Sequence, residues 1–413
     1  MNRSVIQPRI AIACGGTGGH VFPGLAVAGE LRRRGCEVWL FVSTRAVDQQ
    51  ALRAALGETA GAAPGKSDQA NCTIVTLPAV GLQSGQRLAF LVGLWRAWRA
   101  ARAAFRQARP AAVLTMGGFT GVGPIWAGRC IGAKTFLHES NTIPGRANRR
   151  IARLVDVAFV GFAEAASRLR ARRVVVTGTP VRPEFVPGAA AGARSELGLD
   201  PTRPVVLVMG GSQGASGINW LVMAALPALA ARAPHWQWLH LTGPNDAAAV
   251  KSAYAAARVR AVVHEFFGPM HRALQAASAA VSRAGASTLA ELAAVRVPAL
   301  LVPFPWAADN HQWHNALAFA RTGAARVLEE KDATPERFAE QLWELVENPE
   351  TAERMRTALE RWHAPDAAAR VAEEICHAVA EARTQTVATA RRAVQPVAPA
   401  RWVENSDAAR PVV

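Results

Sequence analysis

Tyrosine and lysine are nearly absent from this 413-residue chain. Tyr254 is the one tyrosine, and Lys66, Lys134, Lys251 and Lys331 are the lysines. With no RNP-like aromatic strand and no recognition-helix signature, a basic nucleic-acid-binding protein finds little support. Cysteine is scarce too: Cys14, Cys36, Cys72, Cys130 and Cys376 are scattered, and none forms a CxxC pair. That spacing argues against a zinc site and for thiols kept in a reducing compartment. No apolar run reaches the roughly 18 residues that span a bilayer. The first apolar segment runs straight into a glycine turn without a cleavage-like region, so it reads as a strand and not as a signal peptide. GxxxxGKS and GxxxxGKT phosphate loops are missing, and so is DxD. No carboxylate pair is placed to hold a divalent ion. A bound diphosphate would need arginine, helix N-termini and hydroxyls to neutralise it.

Arginine, alanine and glycine are plentiful. The formal net charge is +16, and 43 of the 47 basic residues are arginine. Compositional bias accounts for part of this. A preference for anionic partners, nucleic acid or a phospholipid surface, accounts for the rest. Half of the residues are hydrophobic, enough for two domains with proper cores.

Strand-length apolar runs alternate with helix-like segments. In the first half they are Ile10–Ala13, Val38–Val42, Thr73–Leu77, Ala112–Thr115, Thr135–His138, Val157–Val160 and Val174–Thr177, with helices such as Leu25–Arg34 and Arg87–Arg106 between them. A proline-bearing segment, 178–188, breaks the pattern and reads as a linker. Alternation restarts with Val205–Met209, Trp236–Leu241, Val259–Val263, Ala279–Val281, Ala299–Val302 and Ala325–Leu328. The expected fold class is α/β: two Rossmann-like, doubly wound parallel-sheet domains facing a cleft. The expected domains are 1–178, 179–380 and an irregular Ala/Arg/Pro tail, 381–413, whose composition points to disorder.

Ligands of open parallel sheets sit beyond the carboxyl ends of the strands, and that is where the glycines cluster. Ala13 feeds Cys14-Gly15-Gly16-Thr17-Gly18-Gly19-His20, and Met209 feeds Gly210-Gly211-Ser212-Gln213-Gly214. Glycine lets backbone approach a ligand closely, and the following helix offers free N–H groups and partial positive charge. His20, beside such a helix start, is either a neutral general base or a residue that caps the helix. Three further clusters follow strands: Gly117–Gly121, the segment His138–Gly145 with Asn141, and Arg283–Glu291. Glu291 suits a ribose diol, through charge-assisted bonds worth roughly 1.5–3 kcal/mol each, or else complements a helix dipole. The polar loop 303–315 is unusual for a merely structural connection.

Taken in order, GGTGGHVFPGLAVA, GGFTGVGP, HESNTIPGRANR, TGTPVR, GGSQGA, SRAGASTLAE and DNHQWHNA resemble one family over about residues 10–370. It is the bacterial UDP-N-acetylglucosamine:N-acetylmuramyl-(pentapeptide)-pyrophosphoryl-undecaprenol N-acetylglucosaminyltransferases, the MurG family. The resemblance implies a GT-B glycosyltransferase whose C-terminal domain holds UDP-GlcNAc and whose N-terminal domain takes the lipid-linked acceptor, lipid I. The reaction implied is inverting, metal-independent and without a cofactor, and yields lipid II for peptidoglycan synthesis. It implies donor contacts at Thr17, Gly18, Gly19, Asn141, Arg182, Ser212, Phe267, Gln312 and the run Ala286, Ser287, Thr288, Leu289, Ala290 and Glu291. His20 is the expected base. Phe119, Ser140, Thr179 and Phe267 depart from residues common in the family. The resemblance leaves open a return of the final helix to the N-terminal domain. It places the protein peripherally at the cytoplasmic face of the inner membrane, with other cell-wall synthesis proteins as further candidate partners. A diacylglycerol glycosyltransferase would share the nucleotide loop, but HESNTIPG and GGFTGVGP look like the lipid I-using family.

A helical wheel over Arg87–Arg109 separates two stripes. Phe90, Leu94, Ala97, Ala101, Phe105 and Ala108 can face the sheet. Leu88, Leu91 and Trp95 share the other stripe with Arg99, Arg102 and Arg106. Burying that stripe would bury three arginines without partners, so it is expected to face outward and dock on an anionic membrane surface. Arg146, Arg149, Arg150 and Arg153 are candidates to extend the patch.

Overall fold

Each apolar run expected as a strand pairs in parallel with its neighbours in the computed structural model. The structure describes residues 7–16, 18–45, 48–49, 51–53, 72–78, 87–211 and 214–393. The first sheet contains β1 (Arg9–Ala13), β2 (Glu37–Ser43), β3 (Cys72–Leu77), β4 (Ala112–Thr115), β5 (Lys134–Glu139), β6 (Val157–Val160) and β7 (Arg173–Val176), in the order β3-β2-β1-β4-β5-β6-β7. The second contains β8 (Val205–Met209), β9 (Gln237–Leu241), β10 (Arg260–His264), β11 (Ala279–Ser282), β12 (Ala299–Leu301) and β13 (Arg326–Val327), in the order β10-β9-β8-β11-β12-β13. Central strands β1, β4, β8 and β11 are buried on both faces by flanking helices. Hence they read as continuous apolar runs without alternation. In both sheets strand order reverses beside the first strand, between β1 and β4 and between β8 and β11. Register fixes the two crevices: Ala13 lies opposite Thr115, and Met209 opposite Ser282.

Two segments join the lobes. One is the linker after β7, where Gly178 packs against Ala364. His138 Nε2 donates to the Gly178 carbonyl at 3.0 Å, and Ser140 Oγ donates to His138 Nδ1 at 3.2 Å. The other is the stretch around Trp362, which stacks on Phe319 at 4.4 Å and tilts against Phe162 of the first lobe at 5.5 Å. From there the final helix, Ala367–Ala393, crosses to the first lobe. Val371, Ala372, Ile375 and Val379 are buried among Val27, Leu31 and Val38.

Two sequence expectations change. The first helix begins at Gly18, not Leu25, and carries Pro23 inside it. Glycine and proline hide its apolar period, yet tight packing of Gly24 on Cys14 forms it anyway. The expected irregular tail from Glu381 is helical as far as Ala393. Its alanine, arginine and glutamate favour helix, and extending a helix that already exists avoids the cost of nucleation. Residues 394–413 lie outside the described residues. The helix Arg87–Gln107 matches its expected span: Ala97, Ala101 and Phe105 are buried, while Leu88, Leu91, Trp95, Arg99, Arg102 and Arg106 are exposed. No helix among the described residues is long and apolar enough to cross a membrane.

The seat of the last helix is testable. Ile375→Ala removes a fully buried side chain and should cost about 2–5 kcal/mol, against roughly 0.5–1.5 for Ile375→Val. Thermal unfolding should show a clearly larger drop in Tm for the alanine variant.

Candidate functional site

Two glycine turns line the crevice of the first lobe. Gly16 has φ +121°, a conformation side chains disfavour. Its N–H donates to Asp48 at 2.6 Å, and Ser43 Oγ donates to the same carboxylate oxygen. Thr120 Oγ1, from the turn after β4, donates to the Gly15 carbonyl at 2.5 Å. His20 stands in the first turn of the helix that follows. A methyl group placed on Gly118 would meet the His20 ring at 3.2 Å, so the imidazole lies directly over the second turn. Burial lowers the proton affinity of His20. Asp48 opposes that shift, and His311 of the second lobe reinforces it. The imidazole is therefore biased to its neutral form, with burial as the leading cause.

Glu139, at the end of β5, organises the next loop. One carboxylate oxygen accepts from Asn141 N and Nδ2, the other from Gly145 N and Asn148 Nδ2, at 2.8–3.0 Å. Asn148 Oδ1 accepts in turn from Gly118 N at 3.0 Å. The glycine turn after β4 and the loop after β5 are thereby one unit.

Arg182 leads the second lobe's side. Its guanidinium lies between the rings of Phe22 and Phe185, 4.7 and 5.0 Å from their centroids. Nη1 pairs with Glu184 at 3.0 Å, while the buried Nε and Nη2 have no partner among the described residues. Two unanswered donors on a buried cation suit an anionic ligand. Glu291 sits on the helix Ala286–Val295, where burial pushes its carboxyl up to about 7 against the opposing pull of Arg182. Gln312 Oε1 accepts from Ala284 N at 3.2 Å and Phe304 N at 3.0 Å, which leaves its amide NH₂ to donate. Arg283 Nη1 braces this floor through the carbonyls of Val302 and Pro303 and Glu330 Oε2, at 3.0, 3.2 and 2.5 Å.

The lobes meet through direct hydrogen bonds. Asn315, on the helix His311–Arg321, is fully buried. Its Oδ1 accepts from Thr142 N and Oγ1, and its Nδ2 donates to Asn141 Oδ1 and the Ala284 carbonyl, all at 2.9–3.1 Å. Ser287 Oγ donates to the Gly19 carbonyl at 2.9 Å. Arg146 and Arg149 pair with Asp309 at 3.1 and 2.7 Å and hold its carboxyl below the usual range.

Several expected residues converge here, and some change role. His20, Gly18, Gly19, Arg182, Glu291 and Gln312 border the junction. Asn141 donates to Glu139 and accepts from Asn315, which also makes it part of the seam. The run Ala286–Glu291 is helix, and Leu289 is buried in the core. Ala290 faces the linker beside Ala286, Ser287 reaches Gly19, and Thr288 is half-buried. Phe267 tilts against His264 at 5.2 Å beyond β10. Thr17 and Ser212 lie outside the described residues. Arg146 and Arg149 are paired with Asp309, and Arg146, Arg150 and Arg153 are exposed. Sequence reading missed Asp48, Glu139, Asn148, Asp309 and Asn315 as organisers. The polar density of 303–315 was the one signal for the last two.

Comparison with known proteins agrees with this geometry. Residues 10–160 match the glycosyltransferase family 28 N-terminal domain, and residues 205–371 its C-terminal domain. A relative from Anaeromyxobacter dehalogenans is 37% identical over 88% of this chain and 91% of its own length. Another, from Mesorhizobium japonicum, is 35% identical over 91% of this chain and 96% of its own. Both are named UDP-N-acetylglucosamine--N-acetylmuramyl-(pentapeptide) pyrophosphoryl-undecaprenol N-acetylglucosamine transferase. The crystal structure of Acinetobacter baumannii MurG superposes with a TM-score of 0.67 at 26% identity, covering 90% of this chain and 99% of that one. The chain therefore belongs to glycosyltransferase family 28 and, within it, to the MurG family of N-acetylglucosamine transferases.

Proposed function

We propose that the cleft transfers GlcNAc from UDP-GlcNAc to the 4-hydroxyl of the N-acetylmuramyl unit of lipid I, with inversion, giving lipid II for peptidoglycan synthesis. The observation that carries this reading is a juxtaposition. Neutral-biased His20 sits over the glycine turns of one lobe, and two helical positions further on Phe22 covers a cation of the other lobe, Arg182, two of whose nitrogens bond no described residue. His20 takes the proton of the acceptor hydroxyl. The new bond forms from that oxygen to the anomeric carbon as the bond from the anomeric carbon to the phosphate oxygen breaks. UDP leaves toward Arg182 and the N-terminus of the helix Ser216–Arg232, which together offset the developing charge without a metal. Glu291 accepts the ribose hydroxyls, Gln312 donates to the sugar, and Phe267 borders the uracil. Thr17, Gly18, Gly19 and Ser212 complete the donor surface in this reading.

The exposed stripe of the helix Arg87–Gln107 is the membrane-facing surface in the same reading. Leu88 is 80% and Trp95 52% exposed, and the Arg99 guanidinium lies 4.7 Å over the Trp95 ring. Trp126 and Leu154 add exposed apolar area. Apolar side chains beside a basic row fit shallow docking on anionic lipid. Such docking would keep the enzyme peripheral, at the cytoplasmic face where the lipid-linked acceptor is presented.

Three outcomes follow. Purified protein should convert UDP-GlcNAc and a lipid I analogue to product at a rate unaffected by EDTA, and His20→Ala should lower kcat by roughly 10²–10⁴; a loss of only a fewfold would reassign the base. Glu291→Gln should weaken UDP binding about tenfold or more by calorimetry. Its stability should diverge from wild type with pH. The raised carboxyl favours the folded state below its unfolded value near 4.5 and loses that advantage as pH rises through about 7. The glutamine variant should therefore melt higher than wild type at pH 8 and no higher at pH 4.5. Finally, Leu91→Glu with Trp95→Glu should release the protein from anionic vesicles in a flotation assay while UDP-GlcNAc affinity is unchanged.

A further inference from the structure

The first helix carries a proline in its sixth position. In a regular helix the N–H of residue 23 would bond the carbonyl of residue 19. Pro23 has no N–H, and its ring crowds that carbonyl and tilts it outward. The Gly19 carbonyl thus loses its ordinary helical donor and accepts instead from Ser287 Oγ of the other lobe at 2.9 Å. Proline is the least favourable residue for a helix interior, and Gly18, Gly19 and Gly24 in the same helix add to the burden. The local sequence therefore works against the element it forms. What it yields is a backbone acceptor that lacks the residue-23 donor and is bonded across the cleft.

The position of that acceptor matters. Gly19 immediately precedes His20, and Phe22 and Pro23 follow within one turn. Phe22 covers Arg182 at 4.7 Å. Ser287 lies one turn before Glu291 on the helix Ala286–Val295. A single bond therefore ties the backbone beside His20 to the helix that carries Glu291. Asn315 holds the seam at a second point through Asn141, Thr142 and Ala284. Two separated pins restrain the lobes more than one would, leaving only rotation about the line between them.

We propose that Pro23 is a positioning residue for the transfer: by withholding a backbone donor it reserves the Gly19 carbonyl for the Ser287 hydroxyl, and this pin sets the register in which His20 closes on the donor. The inference rests on the reading of this cleft as the site of GlcNAc transfer. Restoring the N–H with Pro23→Ala gives Gly19 a competing partner in its own helix, and Ser287→Ala removes the other side of the same bond.

A double-variant cycle tests it. Each single substitution should lower kcat about threefold to tenfold, the scale of one ordinary hydrogen bond, with KM for UDP-GlcNAc within twofold. The double variant should be no slower than the slower single, because both changes break one interaction. Ser287→Thr keeps the hydroxyl and should recover most of the loss. Pro23 is buried, so Pro23→Ala trades lost packing against better helix propensity; Tm is therefore read beside kcat for each variant, and the recovery in Ser287→Thr separates the pin from impaired folding. Small-angle X-ray scattering with UDP bound gives a readout independent of turnover: both single variants should show a larger radius of gyration than wild type. Costs that multiply in the double variant, or wild-type kcat and scattering in Ser287→Ala, would overturn the proposal. If wild type itself fails to use the lipid-linked acceptor, the functional reading falls, and scattering still decides whether the pin exists.

Discussion

The arrangement of this cleft hangs on one buried amide. Asn315 lies between the lobes with every hydrogen-bonding group engaged, two acceptances and two donations. An amide removed from water is costly when any of these groups goes unanswered. Asn315 therefore tolerates one relative placement of the loop after β5 and the turn after β11. Thr142 and Asn141 belong to the first, Ala284 to the second. Opening the lobes exposes these groups to water, which can replace the bonds. Sliding them without opening leaves the groups stranded, and that difference gives the seam a preferred register.

The same amide closes a longer circuit. Ala284 N donates to Gln312, and its carbonyl accepts from Asn315. Asn315 reaches Asn141, Asn141 is held by Glu139, and Glu139 holds Asn148, which receives Gly118 N. A side chain read as meeting the donor sugar is thus connected by hydrogen bonds to the glycine turn beneath His20. Ion pairs at Asp309 support the seam from its rim, where solvent screens them and their individual worth is small. Carboxylates take structural roles at most of these joints. Asp48 and Glu139 bind backbone N–H groups and shape loops, while Glu291, raised by burial, keeps a different electrostatic character.

Much of this was legible in the residues. Strand-length apolar runs marked all thirteen described strands to within a residue or so, most plainly the central strands, whose burial on both faces makes them continuous apolar runs. The glycine turns were legible for the same kind of reason: few residue types permit those backbone angles. The wheel of Arg87–Gln107 separated buried from exposed positions, since three arginines cannot share a core. Errors arose where tertiary packing overrode local pattern. Glycine and proline masked the start of the first helix, and a composition suited to disorder continued an existing helix. Leu289, within a run taken as ligand-facing, turned to the core because helical period sends it there.

The sequence by itself determined the two doubly wound sheets, the positions of the anion-binding turns and the family to which the chain belongs. These follow from hydrophobic period, from the conformational needs of glycine and from the joint order of short motifs. Only the tertiary structure decided which polar groups meet across the cleft. Asn141 became a seam residue, Arg146 and Arg149 were drawn to Asp309, and Ser287 found the carbonyl that Pro23 leaves open. Partners more than a hundred residues apart leave no periodic signature. Their pairing depends on how two separately folded lobes are set against each other, which is a property of packing rather than of any local stretch of chain.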